Sequence, residues 1–347
     1  MSDQQPKSKP KTYRPSQLID EGEALAQRAW EARERGIVHG PAVPGFPILA
    51  KEICGSIPPG LTVLLGSPGS GKSALAGQIA DHSGVPTLIA TFEMSPLELL
   101  RRSASRINNT HTSKYRDGTL TPDEWRREIT KAAAALPHLA YLDGTRDDVS
   151  ATDLFRELAL LRHDLGDPEH ALLVVDSVSA WARSTQGTAP NENEAVTLRL
   201  RELQQLASKG GRLEPPCGIS VFAIGEQNRA NQGSGRQESG AGSRVFEYGA
   251  EVLMTLKKPK KPGTGEDEED DEAEKSIVDR DLILAKNRLG CPGKRIRLRF
   301  EGGKMQFSER SKDEAEAEAV RDITARVMGR NGKLAHSAKI HNGKTAT

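Results

Sequence analysis

Eight consecutive residues have the types and order of a phosphate-binding loop. They are Gly66, Ser67, Pro68, Gly69, Ser70, Gly71, Lys72 and Ser73, between the apolar run LTVLL and the helix-forming run ALAGQIA. Glycines let backbone N–H groups turn toward phosphates, and a helix N-terminus adds partial positive charge. Lysine in this pattern reaches the β- and γ-phosphates, and the serine hydroxyl binds Mg²⁺. The sequence therefore predicts a site for ATP with Mg²⁺, although GTP fits the same loop because base recognition lies outside it.

Three further residues are candidates for the chemistry of nucleotide hydrolysis. Asp176 ends the apolar run LLVVD, a position from which a carboxylate can hold Mg²⁺. Glu93 follows the run TLIATF and is the candidate group that orients or deprotonates water. Gln227 follows ISVFAIG, and its amide is a candidate γ-phosphate sensor. Because parallel strands place their carboxyl ends at one edge of a sheet, we expect these side chains near the loop.

The elements that position these residues are predicted by short apolar runs that alternate with helical stretches. The runs are LTVLL (61–65), TLIATF (87–92), LAYLD (139–143), LLVVD (172–176), ISVFAIG (219–225), EVLMTL (251–256), LILAKN (282–287) and IRLRF (296–300). Unbroken aliphatic runs of this length are typical of strands buried on both faces of a parallel sheet. We predict an α/β fold with a mostly parallel twisted sheet flanked by helices. The last strands follow one another without helices, which favours an antiparallel edge.

Composition shifts divide the chain into segments. Residues 1–13 are polar and are expected to be a disordered tail, and residues 14–36 have the apolar spacing of one amphipathic helix. The main domain is expected over 37–308, with a charged disordered loop at 257–276, where a basic segment precedes an acidic run. Residues 309–347 are expected to form a helix and a flexible tail. The Gly- and Pro-rich stretch after residue 36 separates the helix from the domain, so its apolar face must pack elsewhere.

Composition also excludes several classes of protein. The formal net charge is +1, so any nucleic-acid contact must come from local patches. The three cysteines, Cys54, Cys217 and Cys291, have no second Cys or His at metal-ligand spacing, which predicts neither a zinc site nor a disulfide framework. No apolar run approaches the roughly 20 residues that cross a bilayer, and the N-terminus is polar, so we expect a cytoplasmic protein without a membrane partner.

Beyond these local patterns, the chain resembles a known family, the RecA-like ATPase domain of DnaB-type replicative helicases. The resemblance runs from about residue 15 to residue 307 and rests on VPGFPIL, the phosphate-binding loop, TFEMSPLELLRRSASRIN, LLVVDSV, AIGEQNR, SGAGSRVFEYGAEV and LILAKNRLGCPGKRIRLRF. It implies that Glu93 is the catalytic carboxylate, Asp176 the magnesium-binding acid and Gln227 the γ-phosphate sensor. Lys286 and Arg288 of AKNR would reach the neighbouring subunit's site as its arginine-finger pair.

The resemblance also implies an assembly and a substrate. The family's members act as rings, here a hexamer, that hydrolyse ATP and move on single-stranded DNA, and the helix at 14–36 would pack on the adjacent subunit. The segment expected to contact DNA carries three cations, Arg229, Arg236 and Arg244. No segment like the primase-binding domain of the replicative helicases precedes the helix, which favours a comparison with phage, plasmid and mobile-element relatives.

Two other functions fit the same fold. A RecA-like recombination or annealing mediator would form filaments, because the same head-to-tail contacts can close into rings or propagate. A clock-type regulatory ATPase would hydrolyse ATP without any response to DNA. Sequence alone leaves these alternatives open.

Overall fold

One nine-stranded mixed sheet organises the protein, with strand order β3-β2-β4-β5-β1-β6-β7-β8-β9. The computed structural model describes residues 12–36, 38–146, 148–184, 191–226, 246, 249–259, 276–311 and 314. The strands are β1 (Gly60–Gly66), β2 (Thr87–Thr91), β3 (Leu139–Asp143), β4 (His170–Asp176), β5 (Gly218–Glu226), β6 (Val252–Lys257), β7 (Ile277–Asn287), β8 (Arg295–Glu301) and β9 (Gln306–Glu309). The first six are parallel, and β7, β8 and β9 are each antiparallel to the strand before them. This confirms the α/β fold and the antiparallel edge.

The strand β9 was not predicted. It has only four residues, Gln306–Glu309, and only Phe307 among them is fully buried. A strand of four residues is too short to show an alternation of buried and exposed positions. It is a strand because it pairs with β8, where Phe300 lies opposite Phe307. The sheet therefore ends one strand later than the apolar runs indicate.

Helices cover both faces of the sheet. They are α1 (Ile19–Glu34), α2 (Pro47–Glu52), α3 (Lys72–Asp81), α4 (Pro96–Ile107), α5 (Pro122–Ala134), α6 (Ala151–Asp164), α7 (Val178–Ser184) and α8 (Glu192–Lys209). Helices α2, α3 and α4 contribute to the apolar cluster on one face, which includes Leu49, Ile79 and Leu99. Helices α6, α7 and α8 contribute to the cluster on the other face. Burial of both faces explains why the strands read as continuous apolar runs.

Helix α1 differs from the others because none of its described side chains is buried. Its apolar residues are exposed: Ile19 is 62% exposed, Leu25 52% and Trp30 57%. A short 3-10 turn, Pro15–Leu18, precedes the helix. Several large apolar side chains are thus exposed along one helix, which suits packing against another surface.

Several segments named from the sequence lie outside the described residues. They include most of the tail at 1–13, most of the charged loop at 257–276 and nearly all of 309–347. Within the described part of the chain, no helix has both the length and the apolar character needed to cross a bilayer.

Candidate nucleotide site

The predicted phosphate-binding loop joins β1 to α3. Gly66 ends the strand and Lys72 begins the helix, so the loop lies at the carboxyl edge of the parallel strands. Gly69 and Gly71 have φ values of 75° and 99°, a left-handed backbone that favours glycine. A Cβ on Gly66 would lie 2.7 Å from the carbonyl oxygen of Leu256. The N–H groups of the first helical turn have no acceptor within the helix, so this cradle suits an anion.

Lys72 is buried at the base of the loop. Its Nζ donates hydrogen bonds to the carbonyl oxygens of Gly66 and Ser67, each at 3.0 Å. Burial lowers the pKa of the Lys72 amine, and the nearby carboxylates of Glu226, Asp176 and Glu93 offset part of that effect, in decreasing order. A cation is thus fixed beneath the loop and faces three acidic groups.

Asp176 lies at the carboxyl end of β4 and is 3% exposed. The hydroxyl of Ser73, on the second residue of α3, donates a hydrogen bond to its carboxylate. Burial raises the pKa of Asp176 to about 6, and the Ser73 hydrogen bond holds it from rising further. The serine and the acid that the sequence assigned separately to Mg²⁺ are therefore in contact, although they are about a hundred residues apart in the chain.

Glu93 lies beside Asp176 because their strands are neighbours. Thr91, the last residue of β2, pairs with Asp176, and the N–H of Phe92 donates to the Asp176 carbonyl oxygen at 2.8 Å. The Glu93 carboxylate is exposed, and it accepts a hydrogen bond of 2.7 Å from the hydroxyl of Ser177. That contact orients an accessible carboxylate at the same edge as Lys72.

The antiparallel edge of the sheet supports the loop from one side. Nε of Arg280, on β7, donates to the carbonyl oxygen of Ser70 at 3.3 Å. Phe300 and Phe307 stack with ring centroids 4.3 Å apart, and a Cβ on Gly71 would lie 2.7 Å from the Phe307 ring. The motif therefore needs glycine at position 71 both for its backbone angle and for this close packing.

A second contact ties α3 to the last strand. The side-chain amide of Gln78 donates to the carbonyl oxygen of Phe307 at 2.9 Å and accepts from its N–H at 2.7 Å. Sequence reasoning missed the roles of Arg280, Phe307 and Gln78. No local pattern could have found them, because each contact joins segments about two hundred residues apart.

Two charged residues near the site were also missed. Glu226 is the last residue of β5, and its charge has the largest electrostatic effect on Lys72. Arg102, on α4, lowers the pKa of Asp176, which partly opposes the effect of burial. Glu226 immediately precedes Gln227 in AIGEQNR, so the sequence did offer a signal for it.

The residues present fit a nucleoside triphosphate with Mg²⁺. The buried hydroxyl oxygen of Ser70 has no hydrogen-bond partner among the described residues, and a Cβ at Gly66 would crowd that oxygen at 2.8 Å. Ser73 and Asp176 together offer a hydroxyl and a carboxylate oxygen, which are hard ligands of the kind Mg²⁺ prefers. Lys72 supplies the fixed cation.

Comparison with known proteins agrees with this geometry. The model of the family described as "DnaB-like helicase C terminal domain" matches residues 43–309, which cover more than half of the chain. The chain belongs to this family. Its RecA-like ATPase fold follows from that membership and from the sheet order.

Curated relatives of this DnaB-like domain are longer proteins. It is 26% identical over 283 residues to "Replicative DNA helicase DnaB" of Geobacillus stearothermophilus, an alignment that covers 78% of this chain and 58% of that protein. It is 32% identical over 121 residues to "Probable replicative DNA helicase" of Guillardia theta, which covers 33% of this chain and 20% of that protein. The DnaB-like domain thus spans well under two thirds of the length of these two relatives.

Two solved structures share the fold of the DnaB-like domain. "ATPase Domain of G40P" superposes with a TM-score of 0.61 at 18% identity, covering 84% of this chain and 98% of that one. "The Structure Of A DnaB-Like Replicative Helicase And Its Interactions With Primase" gives 0.61 at 17% identity, covering 84% of this chain and 67% of that one. At such identities the likeness concerns the fold alone.

The direction of β7 decides where the AKNR motif of the DnaB-like domain lies. Strand β6 is parallel to β1, and its Leu256 lies beside Gly66 at the loop edge. Strand β7 runs back, so that its last residue, Asn287, pairs with Val252 at the other end of β6. Leu256 and Val252 are four residues apart on β6, which is about 13 Å in a strand.

Lys286 and Arg288 therefore lie toward the amino ends of the parallel strands, whereas the nucleotide loop of their own chain lies at the carboxyl ends. The backbone N–H of Arg288 donates to the carbonyl oxygen of Glu251 at 3.0 Å, and its guanidinium contacts the Glu251 carboxylate at 3.1 Å. The Arg288 side chain is 53% exposed. The structure does not bring these two cations to Lys72 of the same DnaB-like domain.

Four predicted site residues lie outside the described residues. They are the candidate sensor Gln227 and the candidate DNA contacts Arg229, Arg236 and Arg244. Their roles remain predictions from the sequence.

Proposed function

We propose that the chain is the motor domain of a ring-forming, homo-hexameric helicase that hydrolyses ATP with Mg²⁺ to move on single-stranded DNA. The observation that carries the proposal is the meeting of Lys72, the Ser73–Asp176 pair and Glu93 at one edge of the sheet. Membership in the DnaB-like family supports it. The relatives are named as replicative DNA helicases, and that activity comes to this chain only as part of the proposal.

Each residue at this edge has a distinct part in the proposed reaction. ATP with Mg²⁺ supplies the phosphoryl group to be transferred and a charge that neutralises its oxygens. The loop N–H groups and Lys72 bind the β- and γ-phosphates, and Ser73 with Asp176 holds the metal ion. Glu93, exposed and oriented by Ser177, accepts a proton from the attacking water or orients it. Gln227 would report the presence of the γ-phosphate to the segment that follows it.

The ring proposal rests on two features that the contacts within one subunit do not fully explain. Arg288 lies away from its own loop, yet an arginine finger must contact the transferring phosphoryl group. The apolar face of α1 is exposed, as Trp30 and Leu25 illustrate. Head-to-tail assembly would place Lys286 and Arg288 at the neighbour's nucleotide and cover α1 on the neighbour's surface.

Single-stranded DNA is the proposed substrate of the ring. Arg229, Arg236 and Arg244 follow β5 in sequence, so the segment that carries them begins at the nucleotide edge. Glu226, at the end of β5, is close enough to Lys72 for its carboxylate to raise the pKa of the Lys72 amine. A change at the γ-phosphate is thereby transmitted through a few residues to the proposed DNA-binding segment.

ATP hydrolysis measured with and without single-stranded DNA tests this function. We expect strong stimulation by DNA and ATP-dependent separation of a forked duplex, both absent in Lys72→Ala. Hydrolysis that ignores DNA would contradict the proposal and favour a regulatory ATPase. Stimulation without strand separation, together with filaments in negative-stain images, would favour a recombination or annealing mediator instead.

A further inference from the structure

Three potential metal ligands meet at the amino edge of the sheet, away from the nucleotide. His170 begins β4, Glu169 precedes it, and His39 comes from the segment that follows α1. Nε2 of His39 lies 3.4 Å from Nε2 of His170 and 3.4 Å from a carboxylate oxygen of Glu169. All three ligand atoms are within 4.8 Å of one another. The three side chains therefore form one compact cluster of metal-ligand types.

Protons alone do not satisfy this cluster when both rings are neutral. Nε2 of His39 faces an acceptor in Glu169 and another ring nitrogen in His170, and one hydrogen cannot serve both. If the Nε2–H of His39 donates to Glu169, no hydrogen lies between the Nε2 atoms of His39 and His170. If the Nε2–H of His170 donates to His39 instead, the lone pair on Nε2 of His39 is used and no hydrogen lies between His39 and the Glu169 carboxylate. A cation among the three lone pairs removes the conflict.

Two of the three separations between the ligand atoms match a tetrahedral metal ion, and the third, between Glu169 and His170, is longer but within 4.8 Å. Ligand atoms about 2.0–2.1 Å from Zn²⁺ at tetrahedral angles lie roughly 3.3 Å from each other. The two closest pairs of ligand atoms here are each separated by 3.4 Å. Two imidazole nitrogens and a carboxylate oxygen are also a common donor set for Zn²⁺, with a fourth position left for water.

Neighbouring residues position Glu169 and leave space for the ring of His170. Arg28 of α1 contacts the second carboxylate oxygen of Glu169 at 3.1 Å, which leaves the oxygen that faces His39 for the metal. Gly218 begins β5, and a Cβ there would lie 2.8 Å from Nδ1 of His170. Glycine at this position thus makes room for the ring, and the two rings meet edge to face at 83°.

We propose that His39, Glu169 and His170 form a binding site for a divalent transition metal, with Zn²⁺ as the preferred ion. The site would fasten the segment after α1 to the start of β4 and so fix the direction in which α1 leaves the domain. His170 and Asp176 are the two ends of β4, about 20 Å apart in a strand of this length. The metal site is therefore separate from the nucleotide site and does not depend on the proposed function.

Zn²⁺ titration of the full chain without nucleotide, in competition with a chromophoric chelator, tests the site. The background carries Cys54→Ser and Cys291→Ser, because both thiols are exposed, and His336→Gln and His341→Gln, which remove the histidines of the C-terminal segment. We expect one Zn²⁺ per chain. His39→Gln and Glu169→Gln should each weaken Zn²⁺ binding by about 100-fold or more, and Arg28→Ala by about 10-fold. Loss of a metal ligand lowers the affinity more than loss of a residue that only contacts a ligand.

His163→Gln is the matched control. His163 is an exposed histidine that contacts a carboxylate, Asp167, at 3.0 Å, but it lies outside the cluster. This variant should bind Zn²⁺ like the parent, and Co²⁺ should give the visible absorption of a four-coordinate site in both. Circular dichroism establishes that each variant is folded. If the parent bound Zn²⁺ no more tightly than the folded His39→Gln/Glu169→Gln double variant, the proposal would be overturned.

Discussion

The guanidinium of Arg288 contacts the carboxylate of Glu251 at 3.1 Å, on the side of the sheet away from Lys72 of the same chain. This position follows from the antiparallel turn of β7 against β6. Since the Arg288 side chain is half exposed, it is available to another subunit. The role of Arg288 in a neighbouring subunit stays a prediction from the sequence, and its position far from the loop of its own chain is the reason to test it.

Arg288→Ala should lower hydrolysis by a factor on the order of 10³–10⁵ while nucleotide binding persists, because an arginine finger acts on transition-state charge. Rings mixed from Lys72→Ala and Arg288→Ala subunits should recover part of the activity. In equal mixtures about a quarter of head-to-tail interfaces would pair an intact Lys72 with an intact Arg288. Hydrolysis rates at several mixing ratios, in rings shown by native mass measurement to be mixed, provide the readout.

Arg156→Ala is a control for that experiment, since Arg156 is an exposed arginine on α6 that contacts Asp153 at 2.9 Å. Its rate should match that of the parent, because exposed ion pairs contribute little. Mixed rings that recover nothing at any ratio would count against a trans role for Arg288.

Lys72→Ala and Glu93→Gln should separate nucleotide binding from turnover. Loss of the buried cation removes the partner of the β- and γ-phosphates, so Lys72→Ala should lose hydrolysis and bind ATP more weakly. Glu93→Gln keeps the cradle and the contact with Ser177 but lacks the basic carboxylate, so binding should persist while turnover falls by about 10²–10⁴. Fluorescent-nucleotide binding and single-turnover rates distinguish the two. Normal turnover in Glu93→Gln would show that another group activates water.

Asp176→Asn should stabilise the nucleotide-free protein near pH 7. Burial raises the pKa of Asp176 from 3.8 to about 6, so the folded state binds this proton more tightly than the unfolded state. The stabilisation is complete below about pH 4 and is lost as pH rises toward 6. Two pKa units correspond to roughly 3 kcal/mol. The free energy of unfolding of the parent should fall by that amount between pH 4 and pH 7, and this fall should be absent in Asp176→Asn.

Urea unfolding between pH 4 and pH 7 measures this difference. Asp153→Asn is the control with the opposite sign, because hydrogen bonds from Ser150 hold the pKa of Asp153 below its usual range. Parallel pH profiles for the parent and Asp176→Asn would contradict the assignment of the slope to Asp176.

Removing residues 1–36 should reduce the oligomeric state without unfolding the core. Helix α1 buries none of its own apolar side chains, so the core loses little when the helix is absent. The double variant Leu25→Ser/Trp30→Ser should have the same effect on assembly, whereas Gln27→Ala/Glu31→Ala, on the polar side of the helix, should not. Light scattering at matched concentrations reports the mass. An unchanged assembly in the deletion would show that α1 has no place in the interface.

Binding of single-stranded DNA should weaken steeply with salt, because cations that neutralise phosphates release counterions. Arg236→Ala/Arg244→Ala should reduce both the affinity and the slope of log affinity against log salt, by about 1.4 for two phosphate contacts on a single strand. Fluorescence anisotropy with a labelled oligonucleotide gives both quantities. A slope equal to that of the parent would remove these two arginines from the DNA site.

The sequence alone was sufficient for the fold class, and it named candidate residues of the nucleotide site that the structure brings together. Glycine spacing and the following helix identify the loop locally, and a run of apolar residues indicates each strand from β1 to β8. Lys72, Glu93 and Asp176 could be grouped before the structure because every parallel strand delivers its last residue to the same edge. That inference needs only strand direction, which the alternation of strands with helices indicates.

Tertiary structure decided the contacts that no local period encodes. Strand β9 is four residues long and exists through its pairing with β8, and its Phe307 then packs against Gly71 of the loop. His39 and His170 are 131 positions apart and give no metal-ligand spacing in the sequence, yet their Nε2 atoms lie 3.4 Å apart. The physical reason is that periodicity reports which face of an element is buried, whereas ligand geometry depends on which distant elements share an edge of the sheet.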